Sequence, residues 1–151
     1  MKYVFSLLIL SIFLMSCAKK KAEKQAAEDA TIIQQYVADN SLMAIATSSG
    51  LYYVRNVVGA GASCSAFSTV TVAYKGYFTD GTVFDESPAE GITFSLSAVI
   101  QGWTEGIPYF KEGGNGVLVV PSALAYGPKG RGSIPGNSVL VFDVHLIEVV
   151  E

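Results

Sequence analysis

The chain is poor in the side chains that most enzyme chemistries need. It holds one histidine, two cysteines and only 15% charged residues among its 151. A zinc centre draws three or four ligands from His, Cys and carboxylates, and a lone His145 with no second histidine leaves that set unfilled. The spacing places no serine beside His145, so a Ser-His-Asp arrangement is not indicated. Lys and Arg number 10 against 13 Asp and Glu, a formal charge of -3, which excludes a basic surface that tracks nucleic acid. With Cys17 and Cys64 as the only thiols, and Cys17 at the end of a leader-like segment, a disulfide framework is excluded too. The glycine-rich "GAGAS" at 59–63 lacks the lysine of a phosphate loop and opens no helix, so it reads as a turn.

No apolar run is long enough to span a membrane comfortably. The stretch from Tyr3 to Met15, preceded by Lys2, has instead the pattern of a secretory signal. Its end, "LMSC" at 14–17, resembles the bacterial lipobox, which implies cleavage before Cys17 and lipidation of its thiol. Several acyl chains on one residue anchor stably where a single chain is marginal. The expected organisation is therefore a lipoprotein signal peptide at 1–16 and a lipidated Cys17 with a flexible tether to residue 29. Ala18 after the cysteine, in place of an acid, leans by resemblance to other lipoproteins toward the outer membrane, facing the periplasm. Asp29 is read as the cap of a short amphipathic helix at 30–39, followed by a linker to residue 49. The stripe of Ile32, Ile33, Tyr36 and Val37 needs a partner, either the chain's own domain or a second copy in a homodimer.

From residue 50 to 151 the texture is that of one domain built from short strands. Strands are expected at 51–58, 69–78, 92–97, 115–121 and 137–151, with "TDGT" and its Asp80-Gly81 pair as a hairpin turn. In the last strand Leu140, Phe142, Val144 and Leu146 share one face, and Val141, Asp143, His145 and Ile147 the other. Such alternation belongs to an antiparallel sheet with one face on a core. One short helix, from Gln101 to about Gly106, is available to cover it, and Pro108 discourages helical geometry at Ile107. The fold class is α+β.

The ordered set "VAYKGYFTDGTVFDES", "AVIQGWTEG", "VPSALAYG" and "IPGNSVLVFDVHL" resembles the FK506-binding-protein family of peptidyl-prolyl isomerases, from about Leu51 to the end. The resemblance implies a twisted antiparallel sheet wrapped around a short helix, with an apolar pocket between them. It implies that Trp103, the only tryptophan, is the pocket floor, with Tyr74 and Phe84 on the wall and Val99 and Ile100 at the lip. Ile134 and Phe142 complete the enclosure, Tyr126 is a hydroxyl donor at the rim, and the Ile100 N–H faces a substrate carbonyl. Asp85 is expected as the single buried charge, with Tyr74 as a candidate partner; Asp85, Tyr126 and Phe142 form the catalytic set. The implied partners are proline-containing segments of exported proteins, and macrolides of the FK506 and rapamycin type; no cofactor is implied. The alternative reading is a non-catalytic module that holds apolar or proline-rich peptides in the same pocket.

The chain departs from the family pattern at several points. "ESPAEG" at 86–91 has no arginine to support the acid, and Ile92 stands where an aromatic often lies. Ser133 replaces a frequent apolar residue, Gly136 replaces the second proline of a pair, and Lys129 and Arg131 occupy a stretch where a histidine is usual. These changes bear on rate and drug affinity more than on fold.

Overall fold

The computed structural model describes residues 2–150, with side chains described from Ala18 to Val150. The side chain of Cys17, and with it the lipidation site, lies outside the described residues. Helix α1 (Lys2–Asp39) leads into strands β1 (Ile45–Ala46), β2 (Tyr52–Val57), β3 (Thr69–Phe78), β4 (Val83–Glu86) and β5 (Ile92–Ser95). Helix α2 (Gln101–Gly106), β6 (Gly114–Val120) and β7 (Leu140–Val150) complete the chain. The strands form one antiparallel sheet in the order β1-β2-β6-β7-β3-β4, and β5 pairs with the first half of the same β3 edge that β4 takes farther along. The strands expected at 69–78 and 137–151 are the two longest, and they pair with each other from Thr69 opposite Val150 to Phe78 opposite Leu140.

The core fills the face of the sheet that α2 covers. Leu118 and Val120 of β6, Leu140 and Leu146 of β7, and Val70 and Val72 of β3 are buried there with Leu96, Ile107 and Phe110. Gly102 and Gly106 set how close α2 lies to β6: a Cβ on either would collide with Val120 or Leu118. Ile107 does take helical geometry, at φ -60° and ψ -39°, because Pro108 falls early in a 3-10 turn, Ile107–Tyr109, where no donor is required of it. Ile107 is fully buried as a result.

The largest difference from the sequence reading lies before residue 30. The tether expected at 17–29 is helical from Ala18 onward and continuous with the predicted helix at 30–39. Ala, Lys, Glu and Gln are the strongest helix formers, so the segment needs no apolar stripe to be helical. The Lys19–Glu23 (3.9 Å) and Lys24–Glu28 (3.5 Å) pairs add a few tenths of a kcal/mol at most. Asp29 is consequently an interior helical residue and not a cap.

The stripe on α1 packs on the chain's own sheet, on the face opposite α2. Ile33 is fully buried against Val119, Val139 and Val141, with Tyr36, Val37, Tyr52 and Tyr77 around them. Burial of one such side chain is worth roughly 1.5 to 3 kcal/mol. Val119 and Val141 point away from the core yet are at 0% exposure, since α1 covers this part of the second face. Beyond the helix the same face is open, and Asp143 and His145 are exposed as the alternation predicts.

Candidate functional site

Between the sheet and α2 lies a cleft of about 650 Å³, a volume within the ordinary range for small-ligand sites. The nine residues expected at a pocket, Tyr74, Phe84, Asp85, Val99, Ile100, Trp103, Tyr126, Ile134 and Phe142, all line it. They come from four places. β3 and β4 supply Tyr74, Phe84 and Asp85, and the segment entering α2 supplies Val99, Ile100 and Trp103. The loops between β6 and β7 supply Tyr126 and Ile134, and β7 supplies Phe142.

Trp103 forms the floor at 6% exposure. Tyr74 and Phe142 meet it edge-on, with ring centroids 4.9 and 5.2 Å away and planes at 80° and 81°. Phe94 meets it at 5.3 Å with a tilt of 40°. Phe84 leans on Phe142 at 5.7 Å and on Phe78 at 5.1 Å. Edge-to-face pairs of this kind each add about 0.5 to 1.5 kcal/mol beyond area burial, and they fix the indole plane. The indole Nε1–H is buried and has no hydrogen-bond partner. A buried donor left unpaired costs about 1 to 3 kcal/mol.

Ile100 stands at the start of α2 in extended geometry, and its carbonyl accepts from the N–H groups of Trp103 (2.9 Å) and Thr104 (3.1 Å). Its own N–H enters no backbone hydrogen bond among the described residues. The Thr104 hydroxyl donates to the Leu96 carbonyl at 2.6 Å and ties the lip to the helix. Across the cleft, reciprocal backbone bonds of 2.9 Å between Arg131 and Ile134 close a tight loop that places Ile134 on the wall.

Asp85 sits opposite Gly76 in the β3–β4 pairing and accepts a 2.6 Å hydrogen bond from the Tyr74 hydroxyl. It is not the buried charge that the sequence reading expected: its side of the cleft is open and the residue is exposed. Ion pairs among the described residues are confined to α1, so no cation takes the place of the arginine missing from "ESPAEG". The Tyr74 phenol is held protonated well above its ordinary range, first by burial and then by the hydrogen bond and charge of Asp85. Among the described residues the buried carboxylate is Asp29, at 1% exposure.

Some residues of the site escaped the sequence reading. Phe94, two positions along β5 from Ile92 and on the same face, supplies the aromatic contact that Ile92 does not. Gly76 makes room for the wall, since a Cβ there would lie 2.7 Å from Phe84 and 3.0 Å from Phe142. Its position inside an alternating strand was the available signal, because glycine in a strand often marks a close approach. Gly132 also lines the cleft, between Arg131 and Ser133, two departures from the family pattern that line it as well, and the Arg131 guanidinium lies 5.6 Å from the centre of the Tyr126 ring. Cys64 is half-buried on the core, and burial pushes its thiol up, away from the reactive thiolate form.

A family model, FKBP-type peptidyl-prolyl cis-trans isomerase, matches residues 61–147, which contain every lining residue named above. The chain belongs to this family. It is 44% identical over 135 residues to the FKBP-type isomerase FkpA of Aeromonas hydrophila, covering 87% of this chain and 50% of that protein. FkpA of Escherichia coli K12 is 43% identical over 138 residues, covering 89% and 51%. The chain thus spans about half the length of these curated relatives. Its fold matches the crystal structure of Escherichia coli FkpA with a TM-score of 0.73 over 95% of this chain and 70% of that one, at 39% identity. An isomerase structure from Pseudomonas syringae matches at TM-score 0.75 and 31% identity, covering 85% of this chain and 96% of the other. Membership confirms the antiparallel sheet around a short helix, and the longer matches reach past the family domain into α1.

Proposed function

We propose that the chain is a peptidyl-prolyl cis-trans isomerase acting on proline-containing segments of exported proteins. The observation that carries this reading is the Trp103 floor, walled edge-on by Tyr74 and Phe142 and at a tilt by Phe94, in a cleft that all nine expected residues line. Rotation about a prolyl amide must break its conjugation, against a barrier of about 18 to 20 kcal/mol. The planar amide is strongly dipolar, and an apolar cleft solvates it poorly. The twisted amide loses less on entering. That difference in binding is the catalysis, each tenfold in rate requiring about 1.4 kcal/mol. The proline ring lies over Trp103, the Ile100 N–H and the Tyr126 hydroxyl hold flanking carbonyls, and Val99, Phe84 and Ile134 exclude water. Phe142 closes the floor against the rotating group, and Asp85 acts at the open edge through Tyr74. No bond to the protein is made or broken. The same cleft is expected to take macrolides of the FK506 and rapamycin type.

The test is turnover of a Leu-Pro peptide by the full chain in detergent. Catalysed isomerisation at enzyme concentrations far below substrate, inhibited by such a macrolide, supports the proposal. Peptide binding without turnover, abolished by Trp103→Leu, replaces it with the holding-module reading.

For location, the proposal is a lipid anchor on Cys17 at the outer membrane, facing the periplasm, supported by "LMSC" and the apolar segment before it. Among the described residues no helix is long and apolar enough to cross a membrane. Release of Cys17→Ser from the membrane fraction is the expected result. A homodimer through residues 30–39 would rest on Ile32, 40% exposed, because Ile33 is already covered by the chain's own sheet; sedimentation of the full chain decides it.

A further inference from the structure

The most fully bonded polar cluster of the interior lies outside the cleft. Asp29 and Ser122 are both at 1% exposure although 93 positions apart. One carboxylate oxygen of Asp29 accepts from the Ser122 N–H (2.8 Å) and the Ser122 hydroxyl (2.6 Å), and the other accepts from Gln25 Nε2 (2.8 Å). Hydrogen bonds to a charged acceptor are stronger than neutral ones, and a buried charge persists only when so paired. The recipient matters as much as the bonds. Ser122 opens the 3-10 turn Ser122–Leu124; its carbonyl accepts from the Ala125 N–H at 3.1 Å, and Tyr126, the rim hydroxyl of the cleft, follows directly. α1 therefore grips the turn that carries Tyr126 at its first residue, from outside the family domain.

We infer that Asp29 is a positioning residue for the prolyl cleft: by fixing Ser122 it sets the place of the Tyr126 hydroxyl, so α1 tunes substrate affinity at a site it does not touch. The inference rests on the cleft being the peptide site. Its bland rival is that Asp29 only fastens α1 to the sheet, and the two differ in one measurable respect. A positioning effect passes through Tyr126, whereas a fastening effect does not.

The test is a double-mutant cycle in the full chain, combining Asp29→Ala with Tyr126→Phe and reading kcat and KM for a Leu-Pro peptide together with Tm. Pairs that act through one another are non-additive, and independent pairs add. Asp29→Ala is expected to raise KM about fivefold in the parent and less than twofold once Tyr126 is Phe. Equal losses in both backgrounds, or an unchanged KM in the parent, overturn the inference. Should Asp29→Ala fail to fold, Asp29→Asn and Ser122→Ala, which each keep part of the link, carry the same cycle with the same criterion. Peptide affinity read from Trp103 fluorescence repeats the cycle without turnover. A wild type that binds but does not turn over then counts against the isomerase reading alone, and loss of the coupling in the binding cycle counts against Asp29.

Discussion

The two faces of the sheet are both covered by a helix, and they treat polar groups in opposite ways. Under α1 the polar groups are paired: Asp29 with Ser122 and Gln25, and Tyr36 with Tyr77 (3.4 Å), whose hydroxyl in turn donates to Asp143 (3.0 Å). Under α2 the Trp103 Nε1–H is left without a partner and the Ile100 N–H enters no backbone bond, beside a cleft lined by rings. The covering residues differ in kind. Valine and isoleucine interlock under α1 with tyrosines at their margin, whereas beside the aliphatic core under α2 aromatic edges line a space that aliphatic packing would close. A buried donor deprived of a partner is a cost that native structures rarely tolerate, and the two faces differ in whether they carry one.

That contrast predicts that loss of aliphatic packing under α1, away from the Asp29–Ser122 link, reads out in stability, and damage under α2 in binding. The largest effect is expected for Ile33→Ala, which leaves a cavity between α1 and Val119, Val139 and Val141 and should lower unfolding free energy by about 2 to 5 kcal/mol. Urea unfolding measures this, and peptide affinity at the cleft should change less than twofold as long as the chain is folded. A matching loss of affinity would show that the faces are not separable. Trp103→Leu is the mixed case. It removes packing against three rings and the floor itself, so roughly 2 kcal/mol of stability and at least tenfold in peptide affinity should be lost together.

Phe142→Tyr separates the two quantities. Phe142 is 4% exposed and lines the cleft, so an added hydroxyl is left poorly paired once a proline ring fills the cleft, and the larger part of the penalty falls on the complex. A loss of about 1 to 2 kcal/mol on binding, near tenfold in kcat/KM, is expected with Tm almost unchanged. A large fall in Tm instead would show that the hydroxyl is unpaired in the free protein as well.

The cleft was legible because its rings sit in short, ordered motifs, and each motif fixes both a strand face and a neighbour. The alternation of β7 placed Phe142 inward and His145 outward from period alone. What escaped was of two kinds. The residues 18–29 carry no apolar period, so composition that favours a helix looked like a tether. Asp29 meets Ser122 across 93 positions, and no local pattern announces such a pairing. The exposure of Asp85 belongs with these, since β4 is short and lies on the sheet edge, where the side chain of an inward-looking motif still meets water.

The smallest expected effect tests the link between Asp85 and Tyr74. Burial raises the Tyr74 phenol first, and the hydrogen bond and charge of Asp85 raise it further. The protonated phenol is therefore the form that the fold favours. Its contribution to stability is complete below the ordinary phenol range, about 10, and is lost as pH rises through the higher folded value. Asp85→Asn removes the negative charge and leaves the burial, so Tyr74 should ionise at lower pH than in the wild type while staying above the ordinary range. With eight tyrosines in the chain, the phenolate absorbance of each protein must be differenced against its own Tyr74→Phe counterpart. Turnover at neutral pH, where the phenol is protonated in both, should fall by only about twofold, since a neutral amide still accepts the hydroxyl. An alkaline titration that does not move would mean that Asp85 acts on the cleft without Tyr74, and its place at the open edge would then have to be argued from direct contact with the peptide.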